Sequence, residues 1–564
     1  MKKFRVGFLI DDLQTDQYVA DLIDFVSKNP HFDDPFLITG YKSKKVESLT
    51  RMLINKLKKN LITLLNSILK GVLLKIIRRI EIKNVLKRFP RYQAKVDSIT
   101  LGMYETIEVI GSWSKSGLIL EFTNDDLSLI SHHKLDCIIR CGSGILKGGI
   151  LNCTEFGVLS FHHGDNRVNR GGPSGFWEVL NGEPSSGFVI QKLSEELDGG
   201  EVIYRGNIMT SNLWLANNAQ LLEKSNIFLM QLLLDLAVNR KLPKSEGVRL
   251  HGNKLYKIDS SFALIKYLLI VIAPKILNSF VSKLLSPKTK RYSVAYAYHN
   301  KYRKSLWRYK EISNPKGRFL ADPFVFEHSG NNYIFVEDFF FKEDIGRISA
   351  IKIDGDKYEF LDVVLEEEFH LSFPFVFKED DEIYMIPESH KNCDIRLYRC
   401  LEFPNKWELD QVLMSDVSAA DTMLIKKENT WFMLTNICSS GIDDHQSELH
   451  IFYSDNLKSN TWEPIASGNP VIFDPLKARN GGLFYNNENI YRVNQVHGQA
   501  HYGKSFSVNE IVLLSKNEYI EKEVSNINAN FKNKIISTHH FNASTTLAAV
   551  DYSRYQRLKK ALKT

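Results

Sequence analysis

Cysteine and proline are scarce in this 564-residue chain: six cysteines (137, 141, 153, 393, 400 and 438) and 16 prolines. So few cysteines cannot form a disulfide scaffold, which predicts a reducing compartment, and so little proline in a chain that is 43% hydrophobic and 25% charged excludes a mainly disordered or collagen-like protein. No apolar run at the N-terminus is long enough for a signal peptide, because Phe4–Ile10 closes on Asp11 and Asp12. The expectation is a cytoplasmic protein. At this length one hydrophobic core is not enough, since single cores stop growing near roughly 250–300 residues, so two domains or more are expected.

Acidic residues are missing from one stretch. Between Arg51 and Pro90 stand eleven basic residues and a single acid, Glu81, so this segment outweighs the whole formal charge of +7 and leaves the remainder slightly acidic. A basic charge confined in this way does not suggest a nucleic-acid partner. Its apolar residues, Leu53 to Ile77, recur at three- and four-residue steps and predict a basic amphipathic helix or helix pair. Such a helix either lies on an anionic membrane surface or packs on a neighbouring domain. Uninterrupted apolar runs of spanning length are also lacking. The stretch Phe262–Leu285 is broken by Lys266, Pro274, Lys275 and Lys283, which favours an interfacial or buried helix over a span.

Residues 1–250 read as strands and helices in alternation, the pattern of an open parallel α/β sheet. Strand candidates are residues 4–11, 36–39, 107–110, 136–140 and 157–161; helices are expected at 15–27, 125–131 and 175–180, with 51–90 as an insertion. Residues 251–290 form an apolar helical linker in this reading. From about Arg291 to 564 the pattern becomes all-β. Ala321-Asp-Pro-Phe, Ser372-Phe-Pro-Phe, Ala420-Asp-Thr-Met and Ala478-Arg-Asn-Gly recur at steps of 51, 48 and 58 residues, each followed by a second apolar strand. A unit of about fifty residues repeated in this way predicts a propeller, with the segments 293–298 and 545–551 pairing to complete a fifth blade; two tandem β-sandwiches are the rival.

Two groups of residues carry chemistry. The first runs from the strand end Ser160-Phe161-His162 through His163-Gly-Asp165-Asn166-Arg167 and Arg170-Gly-Gly to Asn181-Gly182, and then Leu197-Asp198-Gly199-Gly200. A histidine at a strand end before a polar, glycine-rich loop stands where α/β sheets expose reactive groups. This stretch resembles the formyltransferase family, in which a strand ends in Asn-x-His and a Leu-Asp-x-Gly follows. The resemblance implies transfer of a formyl group from 10-formyltetrahydrofolate to an amine, with His162 moving protons and Asp198 orienting it. It further implies ligand contacts from His163, Asp165, Asn166, Arg167, Arg170, Gly199 and Gly200. Ser160 stands where the family has its oxyanion-binding asparagine, so either Ser160 itself, Asn166 or Arg167 supplies that donor, or the reaction differs from the family's. Cys137 and Cys141 read as buried thiols, since no second pair follows at zinc spacing.

The second group is Asp322, Asp421 and Arg479 at matching positions of three repeats, Glu388 after the second strand of another, and His539-His540 near the closing strands. Innermost strands line a propeller axis, so these side chains are expected to converge, either as a sugar pocket or as a structural tunnel. The region resembles the five-bladed propellers of arabinanase-type glycosidases and the propeller-like domain of glucosamine inositolphosphorylceramide transferases. Together the resemblances imply an α/β formyltransferase-like domain followed by a five-bladed propeller, acting on a nucleotide- or lipid-linked amino sugar in surface-polysaccharide assembly. The alternative is a carbohydrate-binding or glycosyl-transferring propeller on a non-catalytic scaffold.

Overall fold

The computed structural model describes residues 2–41, 61–96, 101–168, 171–196, 199–246, 255–284, 287–298, 306–441, 444–557 and 562. The chain divides into two compact units, Met1–Pro274 and Lys275–Thr564.

The first unit is built on a seven-stranded sheet. Val6–Leu9 lies near its middle and is buried at all four positions, as expected of a parallel strand covered on both faces. It pairs in parallel with Phe36–Thr39 and Cys137–Arg140, and the parallel set extends to Thr106–Glu108 on one side and Val158–His162 on the other. Ser185–Lys192 and Glu201–Met209 then add antiparallel to the Val158–His162 edge, so the sheet is mixed rather than purely parallel. The helices form where local chemistry favours them. Asn124–His132 begins at a capping box in which Thr123 Oγ1 accepts from Asp126 N and the Asp126 carboxylate accepts from Thr123 N. The 26-residue helix Trp214–Asn239 has no counterpart in the sequence reading, because its buried face carries Asn217, Gln220, Lys224, Ser225 and Asn226 and so lacks a clean apolar period.

Two expectations are corrected here. The segment 251–290 is not a free linker: Leu264, Tyr267, Val271 and Ile272 share a core with Leu73, Ile77, Phe176 and Val179 of the first unit. The described part of the basic insertion is one helix, Leu61–Arg88, with a buried row (Leu73, Ile77, Glu81 and Val85) and a second apolar row left exposed, and is therefore not amphipathic in the simple sense. Residues 51–60 lie outside the described residues. Glu81 is fully buried and accepts from the Tyr267 hydroxyl (2.6 Å) and Leu215 N (2.8 Å), which explains an acid inside a basic helix.

The second unit is a five-bladed propeller of antiparallel sheets, four of them four-stranded and one five-stranded. Its innermost strands, Arg318–His328, Ser372–Glu379, Ala419–Lys427, Asn480–Asn486 and Phe541–Ala543, touch one another in a closed ring. The fifth blade joins the ends of the unit: Lys288–Ala297 pairs with Ala548–Arg557 over ten residues. Each of the four longer inner strands slips register near its start, between Ala321 and Phe324, Ser372 and Phe375, Ala420 and Met423, and Asn480 and Gly482. At these bulges Asp322, Phe373 and Asp421 take φ of 48°, 47° and 50° and Gly482 takes 128°. Aspartate enters this left-handed region at modest cost, and a bulge re-aims the side chain it carries.

Candidate functional site

The propeller bulges bring the second predicted group together. Arg479 donates through Nε to Asp421 Oδ2 (2.7 Å) and through Nη2 to Asp421 Oδ1 (3.3 Å) and Glu388 Oε2 (3.4 Å). Glu388 Oε1 lies 2.6 Å from His390 Nδ1, and Gln495 Nε2 donates to Asp421 Oδ2 (3.1 Å). Beside them, Asp322 Oδ1 is 3.6 Å from both His539 Nε2 and His540 Nδ1, and His539 Nδ1 is 2.6 Å from Asp551 Oδ2. Tyr502 links the two clusters, its ring 5.1 Å from the Arg479 guanidinium and 5.3 Å from the His539 ring. All five blades or their connections contribute. Arg479 is nevertheless not in register with the aspartates: Asn480, not Ala478, takes the place of Ala321, Ser372 and Ala420, pairing with Asn494 as they pair with Glu337, Glu388 and Asn436. Arg479 thus stands one residue before the strand position that matches Ala321, not at the aspartates' position, and its guanidinium still reaches Asp421 and Glu388.

Burial sets the protonation of this group. Burial, reinforced by the charges of Glu337 and Asp551, raises the Asp322 pKa well above the carboxylate range. Asp421 is also raised, by burial first and the Glu388 charge, against the pull of Arg479. Burial acts on Glu388 in the same direction, but the His390 hydrogen bond and the Arg479 charge outweigh it and hold Glu388 well below its ordinary value. Carboxyls divided in this way suit acid and base roles. Asp322, His539 and Asp551 offer one imidazole nitrogen and two carboxylate oxygens within 4.8 Å of one another and could hold a cation. Asp551, Gln495 and Tyr502 escaped the sequence reading, since each lies outside the repeated inner-strand motif that pointed to the others.

In the first unit a cavity of about 590 Å³ opens beyond the carboxyl ends of Cys137–Arg140 and Val158–His162. Ser160, Phe161 and His163 line it, together with Arg140, Arg78, Tyr92, Asn218 and Asn226. His163 Nε2 is 2.9 Å from Ser225 Oγ, and burial, with the neighbouring His162, lowers its pKa to about 4. Among the described residues His162 is not part of this lining, and Asp198 and Arg170 lie outside the described residues. Asp165 and Arg167 are committed elsewhere: the Asp165 carboxylate accepts from Arg167 Nη2 (2.7 Å) and Arg205 Nη1 (2.8 Å), which together outweigh burial and lower its pKa. Asn166 is buried, and Gly200 packs so closely on the strand beside it that a Cβ would meet Lys192 O at 2.8 Å. A Cβ on Gly199 would meet Glu196. The donor nearest Ser160 is one the sequence reading missed, Arg140, whose Nη1 is 3.4 Å from Ser160 Oγ. Burial raises the thiol pKa of both Cys137 and Cys141, the latter to about 12, as befits unreactive thiols.

Residues 308–548 match the family model described as glucosamine inositolphosphorylceramide transferase 1, N-terminal. The protein of that name from Arabidopsis thaliana is 35% identical over 234 residues, 40% of this chain and 30% of its own length. The Oryza sativa subsp. japonica protein is 35% identical over 213 residues, 37% of this chain and 28% of its own. The chain thus spans less than a third of the length of these curated relatives. Similar solved structures include the catalytic domain of a GH62 α-L-arabinofuranosidase from Coprinopsis cinerea (11% identity, 46% of this chain and 97% of that one, TM-score 0.33). Another is the family 117 glycoside hydrolase Zg3597 from Zobellia galactanivorans (10%, 48% and 91%, TM-score 0.31). A third is glycinamide ribonucleotide transformylase 1 from Symbiobacterium toebii (10%, 44% and 94%, TM-score 0.28).

Proposed function

We propose that the chain is a sugar-handling transferase of glycolipid assembly, with the propeller holding an amino-sugar glycan at the charged end of its axis. The observation that carries this reading is the buried set Asp322, Glu388, Asp421 and Arg479, drawn together from successive blades within the region similar to the plant transferases. The names of those relatives supply the substrate classes taken here, an activated glucosamine and an inositolphosphorylceramide-type acceptor. Asp322, whose burial favours the protonated form, is suited to donate a proton, and Glu388, whose neighbours favour the ionised form, to accept one. Arg479 presents a planar set of donors already held by two carboxylates. The test is to incubate wild type, Glu388→Gln, Asp421→Asn and His162→Ala with nucleotide-activated glucosamine and inositolphosphorylceramide. A fall of roughly a hundred-fold in the first two variants, with His162→Ala near wild type, is the expected result. Propeller variants equal to wild type, or no turnover and no sugar binding by wild type, would overturn it.

A second reading, one-carbon transfer in the first unit, is favoured by the cavity at the strand ends, whose size falls in the range of cofactor pockets. Among the described residues Ser160 and His163 line the cavity and His162 does not, so the lining departs from the family's donor-binding set. Formylation of an amino-sugar nucleotide by wild type and its loss in His162→Ala would support this reading; no product, or equal product from both proteins, would remove it.

A further inference from the structure

The cavity of the first unit contains a guanidinium that, among the described residues, forms no ion pair. Arg140 comes off the end of Cys137–Arg140, places Nη1 3.4 Å from Ser160 Oγ and donates Nη2 to the Gly144 carbonyl, while its buried Nε has no partner. Asp11 acts on Arg140 through its charge but forms no ion pair with it; its carboxylate accepts from the Tyr41 hydroxyl (3.0 Å), Ser143 N (2.8 Å) and Ser143 Oγ (2.5 Å). Arg78 lines the same cavity, and among the described residues neither arginine belongs to an ion pair, whereas Lys95 has Asp16 at 4.0 Å. The rest of the wall supplies neutral donors: Asn218, Asn226, Ser225 and Tyr92. A partly buried guanidinium is costly to hold without an anion, and its planar fork matches a carboxylate or phosphate. We propose that this cavity binds a ligand through an anionic group, carboxylate or phosphate, seated on Arg140 and steered by Arg78. This goes beyond the propeller reading and does not depend on it.

Calorimetric titration of the full-length protein with pyrophosphate and, separately, with succinate tests this and separates the two anion sources. One of the two should bind wild type and Asp421→Asn alike and bind Arg140→Met at least ~10-fold more weakly, the usual scale for a lost charge-assisted hydrogen bond. Arg78→Met should weaken binding less. Equal affinity in wild type and Arg140→Met, or no binding of either anion by a folded wild type, would overturn the proposal. Unchanged far-ultraviolet circular dichroism of the variants guards against misfolding.

A second, independent observation concerns the surface. On Leu61–Arg88 the residues Leu65, Leu69, Val72, Ile76 and Ile80 form a row beside the buried one, and they are 40–57% exposed. Lys75, Arg79, Lys83 and Lys87, at four-residue steps, run beside and beyond this row. The only acid of the helix, Glu81, is buried. The adjoining helical segment, tied to it by Ser261 N to Asn66 Oδ1 (2.8 Å) and Tyr267 to Glu81, exposes Phe262, Ile265, Leu269 and Ile270. Phe262–Lys283 is long and apolar enough to cross a membrane by composition, with 22% of its most apolar window buried. An apolar row edged by cations and free of exposed acid is complementary to an anionic lipid interface. We infer that this face docks on an anionic bilayer. Flotation with phosphatidylcholine vesicles containing 30% phosphatidylglycerol should carry the protein, and pure phosphatidylcholine should not. Leu69→Asp with Ile76→Asp, and separately Lys75→Glu with Arg79→Glu, should each cut binding at least ~5-fold, since each charge near the surface and each buried apolar side chain contributes on that scale or more. No flotation, equal flotation by the variants, or lipid-free dimerisation lost in the same variants would overturn the inference.

Discussion

The two units solve the placing of a charge inside a protein in opposite ways. In the propeller, Arg479 is enclosed by the carboxylates it needs, Asp421 and Glu388, before any ligand arrives. In the α/β unit, Arg140 stands at the wall of an open cavity and, among the described residues, hydrogen-bonds only to a hydroxyl and a carbonyl. The first arrangement is a preformed electrostatic device, in which removing one member strands the others; the second is half of an ion pair whose other half comes from outside.

This contrast is open to measurement. Arg479→Met should be the most damaging change, destabilising the propeller by about 3–5 kcal/mol because it leaves two buried carboxyls without their cation. Adding Asp421→Asn should recover part of that loss in thermal unfolding, and no recovery would mean that the cluster is not one unit. Within the α/β unit the counterpart is Glu81→Ala, which deprives the Leu215 amide and the Tyr267 hydroxyl of their acceptor and should cost about 2–3 kcal/mol, read as faster hydrogen exchange at the start of Trp214–Asn239. A smaller effect is expected from His163. Its folded pKa of about 4 lies below the roughly 6.5 of an unfolded histidine, so between those values the unfolded chain binds the proton and the folded one does not. Stability contributed by neutral His163 is therefore full above about pH 6.5 and lost as pH falls toward 4. His163→Gln should flatten the urea-midpoint profile of the first unit over this window. Arg140→Met should change stability least, by less than about 1 kcal/mol, because no ion pair is broken. A loss as large as that of Arg479→Met would erase the distinction between the two sites.

The sequence announced some of this plainly. The strands 36–39 and 157–161 and the helix near 125–131 were legible because their apolar patterning is a local signal. The fifty-residue repeat was legible because every blade repeats its inner strand, and the pairing of 293–298 with the last strand followed from the need to close a ring. The antiparallel edge of the first sheet and the helix Trp214–Asn239 were not, since a strand does not encode its partner's direction and the helix buries polar groups. At the sites, repeat logic found Asp322, Asp421 and Glu388, but Asp551 and Tyr502 join them only through tertiary folding. Arg140 was invisible for the same reason: at the end of an apolar run it reads as a surface residue until the neighbouring strand sets Ser160 beside it.

The clasp between Lys288–Ala297 and Ala548–Arg557 has a consequence in time. These partners are separated by some 260 positions of chain, so the ring cannot seal until Ala548–Arg557 has left the ribosome, and contacts of such long range form slowly. The α/β unit, complete by Pro274, can settle long before. During synthesis the nascent protein would thus carry a finished first half tethered to an open circle, and the last strand to arrive is the one that locks it.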